Sequence, residues 1–533
     1  MKKLKNFIIC TLCVIHCIML AGCTRIQPDD NTEENPPRPV PVQENPEYND
    51  HRSLFFNITR RTHSETLQME DITSYVNLDE LTGFEGRGYI RLGESMTADF
   101  ELNVPSTQHY SIEIRAVSAD GEEDAVVVLA AAGVQQGAYY VRFHEGFADY
   151  LLQGIYLEAG VNRLSLTALK GAVYVDELTI RDFELSETRF STSRLPANSN
   201  ASNNVRLLMD YLGETFGQRV LLAQHVTAGT NTEIGAIYEA TGRLPAIRVS
   251  DLMSYSRSFP GTWEKPQKDD IELALEWHNN GGIVSYDWTW FSPSMGIGSR
   301  SHYFAEESDF DLNSAFTNVY IVDLDAESIR ALFEAGAVPR PAWELVLEID
   351  YMAEHLKRLR DAGAPVLWRP LHQAGTRWFW WGDCEPESFK WLWRLMFERF
   401  SVYHELNNLI WVWSGQSADY YPGDEFVDII GECIYNTDDT SGLPQFAGTA
   451  GYSAQAGRSG RRRMAAMTEC ALLPSPDLMN RDNALWLWVA LYRGDFLVDR
   501  GGRLNEQFNS RERLERAYNH ELTITLDKLP EEF

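Results

Sequence analysis

From Val205 onward the chain repeats one pattern: an apolar run of strand length, in six cases with a polar residue at or next to its end, then a stretch with helical period. Eight such runs stand out: Val220–His225, Ala246–Asp251, Gly282–Trp288, Val366–Gln373, Leu409–Ser414, Phe426–Tyr435, Met464–Glu469 and Ala484–Trp488. Helix-period stretches separate most of them; Trp343 to Ala362 precedes the fourth run and Phe389 to Leu406 follows it. Alternating strands and helices imply a parallel sheet. Eight strands in roughly 330 residues fit a (β/α)8 TIM barrel with loop insertions. The largest insertion, Phe291 to Pro341, follows the third strand and is expected to build a cleft wall.

A barrel carries its chemistry at the C-terminal strand ends. Here those ends are His225, Asp251, Asp287, Gln373, Ser414 and Glu469. Glu469 is the most telling, because a charge at the end of an apolar strand needs a reason. It is either a catalytic carboxylate or a buried structural one. The fourth run leads into Trp368-Arg369-Pro370-Leu371-His372-Gln373, and the stretch continues to four aromatics in a row, Trp378 to Trp381, then Gly382. A polar pair beside aromatics suits a sugar cleft, since sugar rings stack an apolar face and hydrogen-bond at the rim. A buried Trp-rich segment is the alternative.

This stretch resembles the signature of glycoside hydrolase family 26, mostly β-mannanases, which reads roughly Arg-Pro-x-His-Glu, a spacer, then Trp-Phe-Trp-Trp-Gly. The resemblance spans about Leu221 to Pro530 and implies a retaining endo-β-1,4-mannanase acting on β-mannan-type polysaccharide. It assigns Glu469 as nucleophile and puts Gln373 where the family has its acid/base Glu. It also implies that His372, Trp378 and Tyr435 bind substrate or hold the nucleophile. His225, Asp251, Trp288 and Trp486 join as candidate substrate-binding residues; Trp486 and Trp488 could wall the cleft or pack the core. Cys433 replaces a usual Asp, and Thr289 a usual His. Retaining enzymes need two carboxyl groups about 5 to 5.5 Å apart, and an amide cannot protonate a leaving alkoxide. Turnover is therefore expected to be impaired unless Asp383, Glu385 or Glu432 substitutes. A glycan-binding protein without catalysis, or the same fold acting on mixed-linkage glucan or β-1,3-xylan, are the alternatives. No metal or organic cofactor is implied.

Residues 1–22 read as an export signal: Lys2, Lys3 and Lys5, then an apolar run from Phe7 to Leu20, too short and wrongly flanked to span a membrane. Leu20-Ala21-Gly22-Cys23 resembles a bacterial lipoprotein cleavage site, which implies lipidation of Cys23 and an anchored protein at the cell surface or in the periplasm. Residues 23–50 are Pro-, Asn- and acid-rich, as expected of a solvated tether. Residues 51–185 alternate over strand lengths, which predicts an all-β sandwich ahead of the barrel. Gly86 to Tyr89, Tyr110 to Arg115, Ala159 to Asn162 and Val175 to Leu178 resemble carbohydrate-binding module family 35. None of the 15 Trp residues lies there, so sugar binding and a purely structural role both stay open. Polar residues 186–204 read as a linker to the barrel domain at 205–533. The charge of -30, from 47 basic and 77 acidic residues, argues against nucleic acid or an anionic lipid face as a partner. A monomer is expected. Four of seven cysteines lie in the leader; Cys384, Cys433 and Cys470 are either buried thiols or hold one disulfide.

Overall fold

The computed structural model describes residues 42–43, 55–57, 64–69, 75–76 and 88–531, except 120–123, 133, 143–145, 185–189, 264, 267, 297 and 436–462. Cys23 and the export signal lie outside the described residues. The chain divides into two compact units, Met1–Leu185 and Ser186–Phe533.

The first unit is a sandwich of two five-stranded sheets. One runs Ala148–Leu157, Gln108–Ser118, Val173–Asp182 and Ser64–Gln68, with Ile90–Leu92 also pairing Val173–Asp182. The other runs Phe55–Asn57, Thr97–Val104, Gly160–Lys170, Ala125–Ala131 and Val134–Val141. All pairings are antiparallel except that of Phe55–Asn57 with Thr97–Val104. The expected period of two is visible: Ala98, Phe100, Leu102 and Val104 are buried while their neighbours are not. The buried Tyr139 hydroxyl donates to the Ile112 carbonyl at 3.0 Å and ties one sheet to the other. Val42–Gln43 pairs with Tyr75–Val76, so the stretch read as a tether contains a short strand.

The second unit is a closed barrel of eight parallel strands: β1 Val220–His225, β2 Ile247–Asp251, β3 Ile283–Trp288, β4 Val366–Pro370, β5 Leu409–Trp413, β6 Ile429–Ile434, β7 Met464–Cys470 and β8 Trp488–Leu491. β1 pairs with both β8 and β2, which closes the ring. Nearly every strand residue is buried, because side chains fill the interior and helices cover the outside. Helix α1, Arg340–Asp361, precedes β4, and α2, Pro386–Glu398, follows it. Buried Arg399 donates to the Val322 and Leu324 carbonyls at 2.8 and 2.9 Å and is clamped by Asp350, which anchors the large insertion to the end of α2.

One expectation is corrected. The eighth strand starts at Trp488, not Ala484, because the run from Ala484 to Leu491 is apolar throughout and has no period to fix its start. Residues 197 and 198 of the segment read as a linker are bonded to the barrel. Asn198 Nδ2 donates to Asn407 Oδ1 at 2.9 Å, and Asp428 accepts the Ala197 N–H at 2.6 Å and the Trp411 N–H at 2.7 Å. Burial pushes the Asp428 carboxyl up to about 6. An amide at 428 would face an N–H with an NH2 group. Asp428→Asn should cost about 1–3 kcal/mol, read as a lower denaturation midpoint.

Candidate active site

Side chains alternate along β4. Trp368 points outward, 6.1 Å from the Phe400 ring, and Arg369 points into the barrel. Arg369 is fully buried. Its Nε and Nη2 grip Asp287 at 2.7 and 2.6 Å, Nη1 reaches Ser414 Oγ at 3.1 Å, and Nη2 also bonds Glu469 Oε1. Beyond β4 the chain hooks: Leu371 and Gln373 are both left-handed, at φ 52° and 55°. The hook is held by Gln373 N–H to the Ser414 carbonyl (2.8 Å) and Gly375 N–H to the Gly415 carbonyl (2.7 Å). A Cβ at Gly375 would strike Ser417, and one at Gly382 the Ala374 carbonyl, so the hook fits only with glycine at both places.

The hook brings Gln373 Nε2 to 3.2 Å from Glu469 Oε2, and the Tyr435 hydroxyl donates to the same oxygen. Glu469 is thus held by three donors from β4, its hook and the end of β6. Burial alone would raise its carboxyl, but the Arg369 guanidinium, then the nearby imidazoles and the Tyr435 hydroxyl, outweigh burial and hold it below its ordinary value. His225 Nε2 lies 2.8 Å from the Thr468 carbonyl, and burial pushes its imidazole down to about 4, so it is neutral at pH 7. Burial pushes the Asp287 carboxyl the other way, upward, against the pull of Arg369.

A depressed carboxyl is ionised at every pH above its shifted value. Attack by Glu469 should therefore persist below pH ~4.3, the ordinary Glu value. Tyr435→Phe removes a donor to the ionised form, so the acid limb should rise by about one to two pH units. The pH dependence of covalent inactivation checks this.

The other expected residues divide. His372 is buried with Nδ1 lacking a partner among the described residues, and its ring lies 5.0 Å from Phe379. Trp378 is half-buried, whereas Trp380 and Trp381 are buried and spend their N–H groups on the Trp290 and His372 carbonyls. Asp251 accepts from Thr289 Oγ1 at 2.5 Å, so Thr289 positions that carboxylate. Trp288 and Trp486 are corrected. Trp288 points away from the interior that Asp287 faces, is fully buried and stacks on Trp290 at 4.1 Å. Trp486 precedes β8, at the N-terminal end of the barrel, also fully buried. Neither offers a ring face to a ligand. Of the substitute acids, Asp383 and Glu385 are exposed, Asp383 being paired with Arg377 at 3.1 Å. Glu432 alternates with Cys433, whose sulfur lies 3.5 Å from Arg369 inside the barrel. Cys384, Cys433 and Cys470 are free, buried thiols.

Two site residues escaped the sequence reading. Arg369 lay in the quoted stretch but had no visible partner. Tyr492, just past β8, sits 5.1 Å from the His225 ring and 5.6 Å from Tyr435; the early start assigned to β8 hid it. His225, Asp287 and Glu469 bring ligand-type atoms within 4.8 Å of one another. Arg369 already bonds both carboxylates, so a divalent ion there would press against a guanidinium.

A carboxylate on β7 facing the hook after β4, at the mouth of a closed eight-stranded barrel, is a glycoside hydrolase arrangement. The family model for glycosyl hydrolase family 26 matches residues 197–528, and the chain belongs to that family. It is 31% identical over 481 residues to a mannan endo-1,4-β-mannosidase of Thermothelomyces thermophilus, covering 88% of this chain and 91% of that one. It is 29% identical to mannan endo-1,4-β-mannosidase B of Piromyces sp, covering 88% and 76%. Among solved structures, the Podospora anserina GH26-CBM35 β-(1,4)-mannanase is similar with a TM-score of 0.55 and 28% identity, over 88% of this chain and all but 1% of its own.

Proposed function

We propose that the protein is a retaining endo-acting hydrolase of β-1,4-mannan in which Glu469 is the nucleophile and the acid/base is missing. The observation that carries this is the Gln373–Glu469 contact at 3.2 Å. It leaves no room for the water that an inverting enzyme places between its two groups. Glu469 attacks the anomeric carbon and forms a glycosyl ester as the leaving oxygen departs. Gln373 cannot protonate that oxygen, nor deprotonate the water that opens the ester. Turnover then depends on leaving groups that depart unaided and on nucleophiles that need no base. The substrate is a polysaccharide or oligosaccharide, His372 and Trp378 bind the sugar at the bond cleaved, and the protein acts as a monomer. Lipidated Cys23 anchors it to the membrane, as the Leu20-Ala21-Gly22-Cys23 stretch suggests.

The test is a β-mannobioside with a dinitrophenyl leaving group. Mass spectrometry should find a glycosyl ester on Glu469, and azide should speed its release as mannobiosyl azide. Glu469→Ala should abolish both. Gln373 itself favours a second reading, a glycan-binding protein without turnover. No ester on Glu469 with bound mannan intact would establish that reading and overturn the first.

A further inference from the structure

On the same barrel face as the cleft, the insertion after β3 and the start of α1 border a shallow, open cavity of about 560 Å3. The N-terminus of α1 is at that face because the helix descends to β4. The cavity is lined by Phe316, Thr317, Asn318, Phe333, Val338 and Arg340, among others. Two aromatic rings in the lining are propped from behind. Phe333 stacks on Trp343 at 5.7 Å and 9°, and the Trp343 N–H is fixed on the Ala326 carbonyl at 3.1 Å. Phe316 leans on half-buried Trp391 at 6.0 Å. Propped rings keep their faces in place, yet Phe316 is 42% exposed and nearby Tyr320 61%. Polar groups sit alongside: Asn318 is exposed, its amide without a hydrogen bond to the described residues, and Arg340 is held by Glu344 at 3.3 Å. No carboxylate lines the cavity.

We propose that this cavity is a second carbohydrate site, outside the catalytic cleft, that holds two or three units of a neutral β-linked mannan chain. The claim rests on the mannan reading above. The cavity joins what a hexose chain asks for, fixed ring faces for its apolar side and amide, hydroxyl and guanidinium donors for its rim. A neutral chain is the occupant because an anion would meet a protein of charge -30 and only one lining cation. A polymer is the occupant because a chain captured here raises the local concentration of the same polymer at a cleft on the same barrel face.

Hydrogen exchange of the full chain with and without mannohexaose tests it. Peptides covering 316–320 and 333–340 should be protected, in addition to those covering 369–381 in the cleft. Phe316→Ala should weaken mannohexaose binding at the cavity by about three- to tenfold and leave cleft protection and ester formation on Glu469 unchanged. Asn318→Ala, at an exposed position, should weaken the same protection without risk to folding. Protection of the cleft alone, or cavity protection that survives both substitutions, overturns the second site and leaves the mannan reading standing. Protection at neither place removes both.

Discussion

Gln373→Glu raises turnover of polymeric β-mannan by about 10²–10⁴-fold, the usual worth of a general acid–base. The backbone needs no change, since the hook is fixed through main-chain bonds and two glycines, not through the Gln373 side chain. The new carboxyl would sit against Glu469, which Arg369 keeps ionised. Two carboxyls so close cannot both ionise readily, so the one at 373 takes the raised pKa and holds its proton near neutrality. That is the state a general acid needs. The dinitrophenyl substrate should gain far less in ester formation, and stimulation by azide should vanish, because a base now serves water. Initial rates on both substrates, with and without azide, check this. Equal rates on mannan before and after the substitution would place the acid elsewhere.

Arg369→Met should cost about 3–5 kcal/mol of stability, the cost of stripping a buried charge of its partner. It leaves Asp287 and Glu469 buried near each other with no cation between. One must then take up a proton, so the acid limb of ester formation should move upward. Where Glu469 is the group that takes up the proton, ester formation should slow near neutral pH, because only the ionised carboxylate attacks. Arg369→Lys keeps the charge but not the two-pronged grip on Asp287, and should fall between. Denaturation midpoints with inactivation rates across pH separate the stability loss from the chemistry. A stable, fully reactive Met variant would show that the guanidinium does not set the charge of the nucleophile.

Seven of the eight barrel strands were legible because each is an apolar run that closes on a polar or turn residue, and the polar closures mark the site. β8 was misplaced because the run from Ala484 to Leu491 has no internal contrast. Trp288 was misread although alternation with inward Asp287 already turned it outward. Arg369 was not legible as the centre of the site. Its role follows from two carboxylates on strands far apart in sequence, a conjunction that only chain closure creates. The segment before the barrel reads as a linker from composition, which does not show where it binds. Asn198 and the Ala197 N–H bind the barrel, while neighbouring Ser199, Asn200 and Asn203 are exposed.

The left-handed hook after β4 works like a casting mould. Its shape is set by Leu371, Gly375, Gly382 and the carbonyls of Ser414 and Gly415, so whatever occupies place 373 is presented to Glu469 at the same height and angle. Capture and cleavage of a glycan then differ by a single nitrogen in place of oxygen. A lineage, or a designer, can pass between the two without rebuilding anything else in the barrel.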